Sequence, residues 1–142
     1  MSSLPPPNPA QPKRAGSLTP SWKIAVIITH VLIAGSLLVL AISAHTVGKP
    51  TWWLTSQTSG PFTILSIVPF LAPIGVIVTT IRASKFAPIA GLVATALLAA
   101  TSVVDISRSP GIALGEAILA ACTALTTISA FAGRSRSVAS GL

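Results

Sequence analysis

The stretch from Ile24 to Ala44 reads IAVIITHVLIAGSLLVLAISA and contains no Lys, Arg, Asp or Glu. A helix needs about 20 mostly apolar residues to cross the hydrocarbon core of a bilayer, and this stretch has that length. Three further windows share the property: 62–81, 86–104 and 111–132. Because the windows lack the alternation of a membrane barrel, the sequence predicts an all-α integral membrane protein, a bundle of four transmembrane helices at 23–133.

The composition agrees with a chain that has little surface in water. Of the 142 residues, 51% are hydrophobic and 8% are charged, whereas a soluble domain carries about 25% charged residues. The net charge is +7, but the basic residues flank the apolar windows and have no aromatic residues interleaved among them. The sequence therefore predicts the lipid bilayer as a partner and gives no indication of nucleic-acid binding.

Basic residues fall mainly on one side of a four-span arrangement. The larger group comprises Lys13, Arg14, Lys23, Arg82, Lys85, Arg134 and Arg136, and the smaller one Lys49 and Arg108. Because Lys and Arg accumulate in cytoplasmic loops, this bias predicts that both termini are cytoplasmic and that the protein resides in the cell (inner or plasma) membrane. Cleavage of the first window as a signal peptide is the open alternative, although an apolar run of about 20 residues exceeds the usual 7–15.

Two polar segments flank the predicted bundle. Residues 1–22 are rich in proline, which lacks an N–H and interrupts both helix and sheet, so we expect a disordered cytoplasmic arm. Residues 134–142 are expected to form a basic cytoplasmic tail. Its two arginines are too few to indicate a lipid-recognition site.

Small residues spaced four apart indicate where helices could approach closely in a membrane. Candidate packing positions are Gly91, Thr95 and Ala99 in the third window, and Gly111, Gly115, Ala117 and Ala121 in the fourth. Because they occupy more than one face of the fourth window, we expect that helix to be central and to contact at least two neighbours. The alternative is an Ala-rich apolar helix in which such spacings arise by chance.

The second window contains Pro69 and Pro73, with Gly75 close by. Each proline removes one backbone hydrogen bond and presses on the preceding turn, so the window predicts a kinked helix. The kink could serve as a hinge or could simply shape the bundle.

His30 and Glu116 are the two side chains with an imidazole or carboxyl group inside the windows. An ionisable residue in a membrane is a candidate functional residue. At 1.5 Å per residue their depths differ by roughly 13 Å, which excludes a direct pair. Glu116 could bind a proton or cation inside the bundle, or could be a near-interface acid that pairs with Arg108. His30 could bond to the hydroxyl of Thr95, Thr126 or Thr127, or could simply be a packing residue.

The outer loops offer two further features. Trp52 and Trp53 lie in the longest loop, where they are candidates for an external contact surface. Asp105 and Arg108 lie three residues apart in the turn between the third and fourth windows, and they suggest a surface ion pair of little energetic value.

No enzyme motif is present: there is no nucleophile elbow, Walker sequence, HExxH or CxxC. We therefore expect no catalytic activity, no cofactor and no metal site. Three function classes remain open. The first is a non-catalytic protein that contacts another membrane protein, as an accessory subunit or as an inhibitor or protective factor for an envelope protein. The second is a homo-oligomeric pore or holin-like permeabilising protein. The third is a small proton-coupled transporter that uses Glu116.

Overall fold

The computed structural model describes residues 18–49, 51–54 and 64–134, and side chains of the last range from Ser66 onward. Within these ranges it contains four helices: α1 (Pro20–Thr46), α2 (Ile64–Ile81), α3 (Ala87–Asp105) and α4 (Pro110–Ala132). The all-α prediction is confirmed. The expected arm, residues 1–22, lies outside the described residues as far as residue 17. Its last residues are described, and α1 begins among them at Pro20, so the predicted disorder does not extend to the end of that segment. The expected tail beyond residue 134 lies outside the described residues.

Proline marks the first turn of three of these helices, namely α1, α3 and α4. The first turn tolerates proline because its N–H groups have no partner within the helix. Pro20 starts α1 ahead of the apolar run, so that helix is longer than the apolar window at its basic end. Between α2 and α3 the chain reverses through Ala83, which has a left-handed φ of 50°.

Helices α1, α3 and α4 are long and apolar enough to cross a membrane. Helix α2 contributes a shorter described apolar stretch, Ser66–Ile81. Large apolar side chains cover the outside of the bundle, including Leu32, Val93 and Leu125, each about two-thirds exposed. Such an apolar exterior suits lipid and not water, so the chain is a membrane protein.

The helices form a ring in which each contacts its sequence neighbours and α4 closes against α1. Among the described residues, the backbones of the diagonal pairs α1–α3 and α2–α4 do not come close to each other. The fourth helix contacts two neighbours, α3 and α1, as expected. In a ring of four every helix has two neighbours, so α4 is no more central than the others.

Two of the expected packing glycines lie where helices meet. A Cβ atom added to Gly91 on α3 would overlap Oγ1 of Thr127 and lie 3.0 Å from its Cγ2. A Cβ added to Gly115 on α4 would lie 2.9 Å from Cδ2 of Leu40 on α1. The α3–α4 and α1–α4 contacts therefore both depend on the absence of a side chain.

The other expected packing residues lie elsewhere. Thr95 is half-buried, and its hydroxyl donates to the Gly91 carbonyl one turn earlier (2.9 Å). Four positions are exposed on the outside of the bundle: Ala99, Gly111, Ala117 and Ala121. The close packing expected of these four is therefore absent between helices of one chain, because they face away from the core.

Helix α2 carries its two prolines on the buried side. Pro69 and Pro73 lie inside the helix and have almost no exposed surface. Further along, the Thr79 hydroxyl donates to the carbonyl of Gly75 (2.8 Å). The bend expected in this helix stays a prediction.

The two ends of the bundle differ in charge. The basic end, where α1 begins and α4 ends, carries Lys23, Arg82, Lys85 and Arg134, and the far end carries Lys49 and Arg108. At the basic end the N–H of Thr19 donates to the carbonyl of Gly133 (3.3 Å). Trp22 packs so closely on Gly133 that a Cβ there would lie 2.7 Å from its Cδ2. The residues that precede α1 and those that follow α4 therefore contact each other at the basic end.

Candidate functional site

The protein has two acidic side chains, and the fold brings them together at the far end. Asp105 is the last residue of α3, and Glu116 lies in the second turn of α4. Neither has any exposed surface, and the two carboxyl groups lie within hydrogen-bonding reach of each other. Sequence reasoning missed this pair because the spacing of Asp105 and Arg108 pointed to a surface ion pair.

The fold does not place Asp105 and Arg108 in a surface ion pair. Arg108 is exposed, whereas Asp105 is fully buried and accepts a hydrogen bond from the backbone N–H of Trp52 (3.1 Å). The turn after α3 directs the aspartate inward, beneath the segment that precedes α2. Glu116 is likewise fully buried.

The segment Thr51–Leu54, here called the tryptophan segment, folds over the acid pair. The indole Nε1–H of Trp53 donates to Oε1 of Glu116 (3.0 Å). The same ring meets Phe70 of α2 edge to face, with ring centroids 6.2 Å apart and planes at 84°. Trp53 has no exposed surface. The expectation that it forms an external contact surface is therefore wrong, because a buried indole finds here both an acceptor and an aromatic neighbour.

Helix α2 provides a further anchor for the tryptophan segment. The Ser66 hydroxyl donates to the backbone carbonyl of Trp53 (3.0 Å). Thr51 is buried, and Trp52 is half-buried. Helices α2, α3 and α4 therefore all contribute a hydrogen bond to a segment that closes the far end of the bundle.

His30 belongs to a separate polar region near the basic end. Its Nδ1–H donates to the carbonyl of Val26 on the same helix (2.8 Å), which leaves Nε2 as the acceptor in the neutral ring. His30 lines a cavity of about 10 Å³ together with Thr80, Gly91 and Thr126. By the volume criterion for buried water, this space is about the size of one molecule.

None of the three hydroxyls expected to bond to His30 does so. Each donates to the backbone carbonyl one turn earlier: Thr95 to Gly91, Thr126 to Cys122 and Thr127 to Thr123. Threonine in a helix commonly makes this local bond.

The two polar regions are well separated along the bundle. Helices α1 and α4 run antiparallel, with Leu40 opposite Gly115. On that register the levels of His30 and Glu116 differ by about nine residues, or about 13 Å at 1.5 Å per residue. Leu37, which has no exposed surface, lies between these levels. An apolar layer therefore separates the acid pair from the histidine.

The acid pair is suited to holding a proton more than a metal ion. Within the described ranges no three His, Cys, Asp or Glu side chains come together as metal ligands. In the described part of the chain, the hydrogen bonds to the two carboxyl groups come from N–H donors, and an N–H group cannot serve as a ligand to a cation. Neither carboxyl group lies where a substrate could reach it from outside.

Comparison with known proteins provides no relative. No protein-family model, curated protein or solved structure matches the chain. Its function therefore has to be inferred from its own residues.

Proposed function

We propose that the chain is a non-catalytic protein of the cell membrane that acts through contacts with another membrane protein. In this proposal it is an accessory subunit, or an inhibitor or protective factor for an envelope protein. All four helices cross the bilayer, and both termini are cytoplasmic. The ring arrangement supports four spans, since α1 and α3 run in the same direction and α2 must return between them. The charge of the basic end supports the orientation.

The observation that carries the proposal is a groove on the outside of the bundle between α1 and α4. It is a shallow, largely open groove of about 640 Å³ and is almost wholly apolar. Its lining comprises Val31, Leu32, Gly35, Ser36, Val39, Leu40, Gly115, Ile118 and Leu119. Small residues let a neighbouring backbone come close, and close packing drives helix association where lipid offers no hydrophobic gain. The groove can therefore seat the helix of another membrane protein.

Exposed alanines on the other side of α4 add support. Ala117 and Ala121 on α4 and Ala99 on α3 have no role in the core of the bundle. Gly91 on α3 packs directly against Thr127 on α4, so these two helices lie close together. Small side chains on their outer surface leave room for another helix. A second partner helix could pack there by van der Waals contact.

The test fills the groove without disturbing the fold. Gly35 suits this purpose because it is exposed in the groove and a Cβ added there meets no atom within 4 Å, so the side chain of Gly35→Leu begins in open space. A photo-crosslinking amino acid at Ser36, which is exposed in the groove, reports what lies there at native expression level. The matched control is Ala100→Leu, an exposed position on α3, the helix diagonally opposite α1.

We expect a discrete protein adduct at Ser36 that Gly35→Leu abolishes and Ala100→Leu preserves. Mass spectrometry of the adduct would identify the partner. Adducts to lipid alone would contradict the proposal. An adduct to a second copy of the chain would favour the homo-oligomeric pore, which then requires that expression collapse the membrane potential.

One observation favours a second function, proton-coupled transport. Glu116 is fully buried beside Asp105, as a proton-carrying group in a transporter is. The apolar layer at Leu37 would have to open during transport. Reconstituted protein should then move protons across a liposome membrane, and Glu116→Gln should abolish that flux. Equal flux in the variant would exclude this function.

A further inference from the structure

We infer that Asp105 and Glu116 form one proton-binding site and that the bound proton holds the tryptophan segment against the bundle. The site needs neither a protein partner nor transport, so it does not rest on the function proposed above. It combines two carboxyl groups and two N–H donors into a single chain of hydrogen bonds.

The four carboxyl oxygens divide into two kinds. Oδ1 of Asp105 accepts from the N–H of Trp52, and Oε1 of Glu116 accepts from the indole of Trp53. The other two oxygens, Oδ2 of Asp105 and Oε2 of Glu116, are buried and have no donor among the residues that the structure describes. Each carboxyl group thus has one oxygen bound to the tryptophan segment and one left over.

A single proton satisfies both of the remaining oxygens. Ionised carboxylates only accept hydrogen bonds, so two of them in contact cannot bond to each other. When one is protonated, its O–H donates to the other, and the pair becomes hydrogen-bonded. The chain of bonds then runs without a gap from the Trp52 N–H through both carboxyl groups to the Trp53 indole.

The surroundings favour one proton over none. Two negative charges in contact and out of water repel strongly, which is why paired carboxyl groups in proteins share a proton. Arg108, in the turn after α3, is the cation whose charge acts on Asp105, and it can offset one negative charge. His45 and Lys49 are exposed beyond the end of α1. The facing part of α2 contributes Ser66 and Phe70, which carry no charge.

Loss of the proton should release the tryptophan segment. The second negative charge can be stabilised only if water enters, and Trp53 occupies the space that water would need. The hydrogen bonds to Trp52 and Trp53 would then exchange for bonds to water, so that docking of the segment is coupled to one proton per chain.

Infrared spectroscopy tests the proton directly. With only two acidic side chains in the protein, a band of protonated carboxylic acid at neutral pH has few possible origins. The full chain is measured in an alkyl maltoside, which has no carbonyl group of its own. We expect the band in the wild-type protein and its loss in Glu116→Gln and in Asp105→Asn, since each amide N–H replaces the proton and the remaining carboxylate ionises.

Fluorescence tests the coupling. Trp22→Phe and Trp52→Phe leave Trp53 as the sole tryptophan, and the Trp52 change keeps its backbone N–H. On raising the pH from about 5 to about 10, a range wide enough for a buried carboxyl group to titrate, we expect a red shift and a several-fold rise in acrylamide quenching. In Glu116→Gln and Asp105→Asn the emission should stay blue-shifted and protected throughout.

Several outcomes would overturn the inference. One is the absence of the acid band in wild-type protein at neutral pH, and another is Trp53 emission that does not change over the pH range. A pH transition that persists in both amide variants would assign it to another group. Circular dichroism confirms the helix content of each variant, and if one amide variant fails to fold the other still decides. Choline buffers prevent sodium from taking the place of the proton.

Discussion

The contact between Gly91 on α3 and Thr127 on α4 provides a sharp test of the packing. Adding one methyl group at Gly91 would place it in overlap with Oγ1 of Thr127, 3.0 Å from Cγ2 and 3.1 Å from Cβ. Either α3 and α4 must separate, or Thr127 must rotate and lose its hydrogen bond to the carbonyl of Thr123 (2.8 Å). Overpacking of this kind costs about 1–3 kcal/mol.

A matched control isolates the packing effect from helix propensity. Alanine is about 1 kcal/mol better than glycine in a helix interior, and Gly35→Ala gains this with no neighbour to meet. The difference between the two variants therefore reports packing alone, and we expect Gly91→Ala to be about 1–3 kcal/mol less stable than Gly35→Ala. Reversible unfolding in mixed micelles with increasing dodecyl sulfate, followed by circular dichroism, measures both.

A double-mutant cycle identifies the clashing partner. Thr127→Ala removes both Oγ1 and Cγ2, so it should restore most of the stability lost in Gly91→Ala, with a coupling energy of about 1–2 kcal/mol. Equal stability of Gly91→Ala and Gly35→Ala would refute the close approach of α3 and α4. Failure of Thr127→Ala to rescue would show that another residue limits the contact.

Three further expectations concern the far end, the α2–α3 turn and the topology. Trp53→Phe should lower the free energy of unfolding by about 1–3 kcal/mol, because it leaves a buried carboxyl oxygen without its donor. Trp52→Phe should lower it clearly less, because the hydrogen bond of Trp52 comes from the backbone. Equal losses of stability in micelle unfolding would contradict this. Ala83→Gly should raise the free energy of unfolding by about 1 kcal/mol, because Ala83 has a φ of 50° and glycine adopts this left-handed conformation without the steric cost of a Cβ atom. An unchanged or lower free energy of unfolding would argue against that conformation. In a Cys122→Ala background, Lys49→Cys should react with an impermeant maleimide in intact cells, and reaction only after permeabilisation would reverse the proposed orientation.

Local sequence features were sufficient to predict the helices. The apolar run at Ile24–Ala44 and the proline at Pro110 identify helices because length, hydropathy and the missing N–H act within a few residues. The same reasoning identified Gly91 as small enough for close packing. It could not separate Gly91, which meets Thr127, from Ala117, which faces outward, because both belong to regular spacings of small residues.

What the sequence determined by itself is the class of the protein: helical, apolar on its exterior and built for a membrane, because these properties follow from composition and from patterns within single helices. Only the tertiary structure decided how its polar residues are used. Asp105 and Glu116 are 11 residues apart in the chain, and Trp53 is 63 residues from Glu116. Their meeting depends on the ring of helices and on the turn after α3, and a hydrogen bond between such distant residues leaves no periodic trace in the sequence.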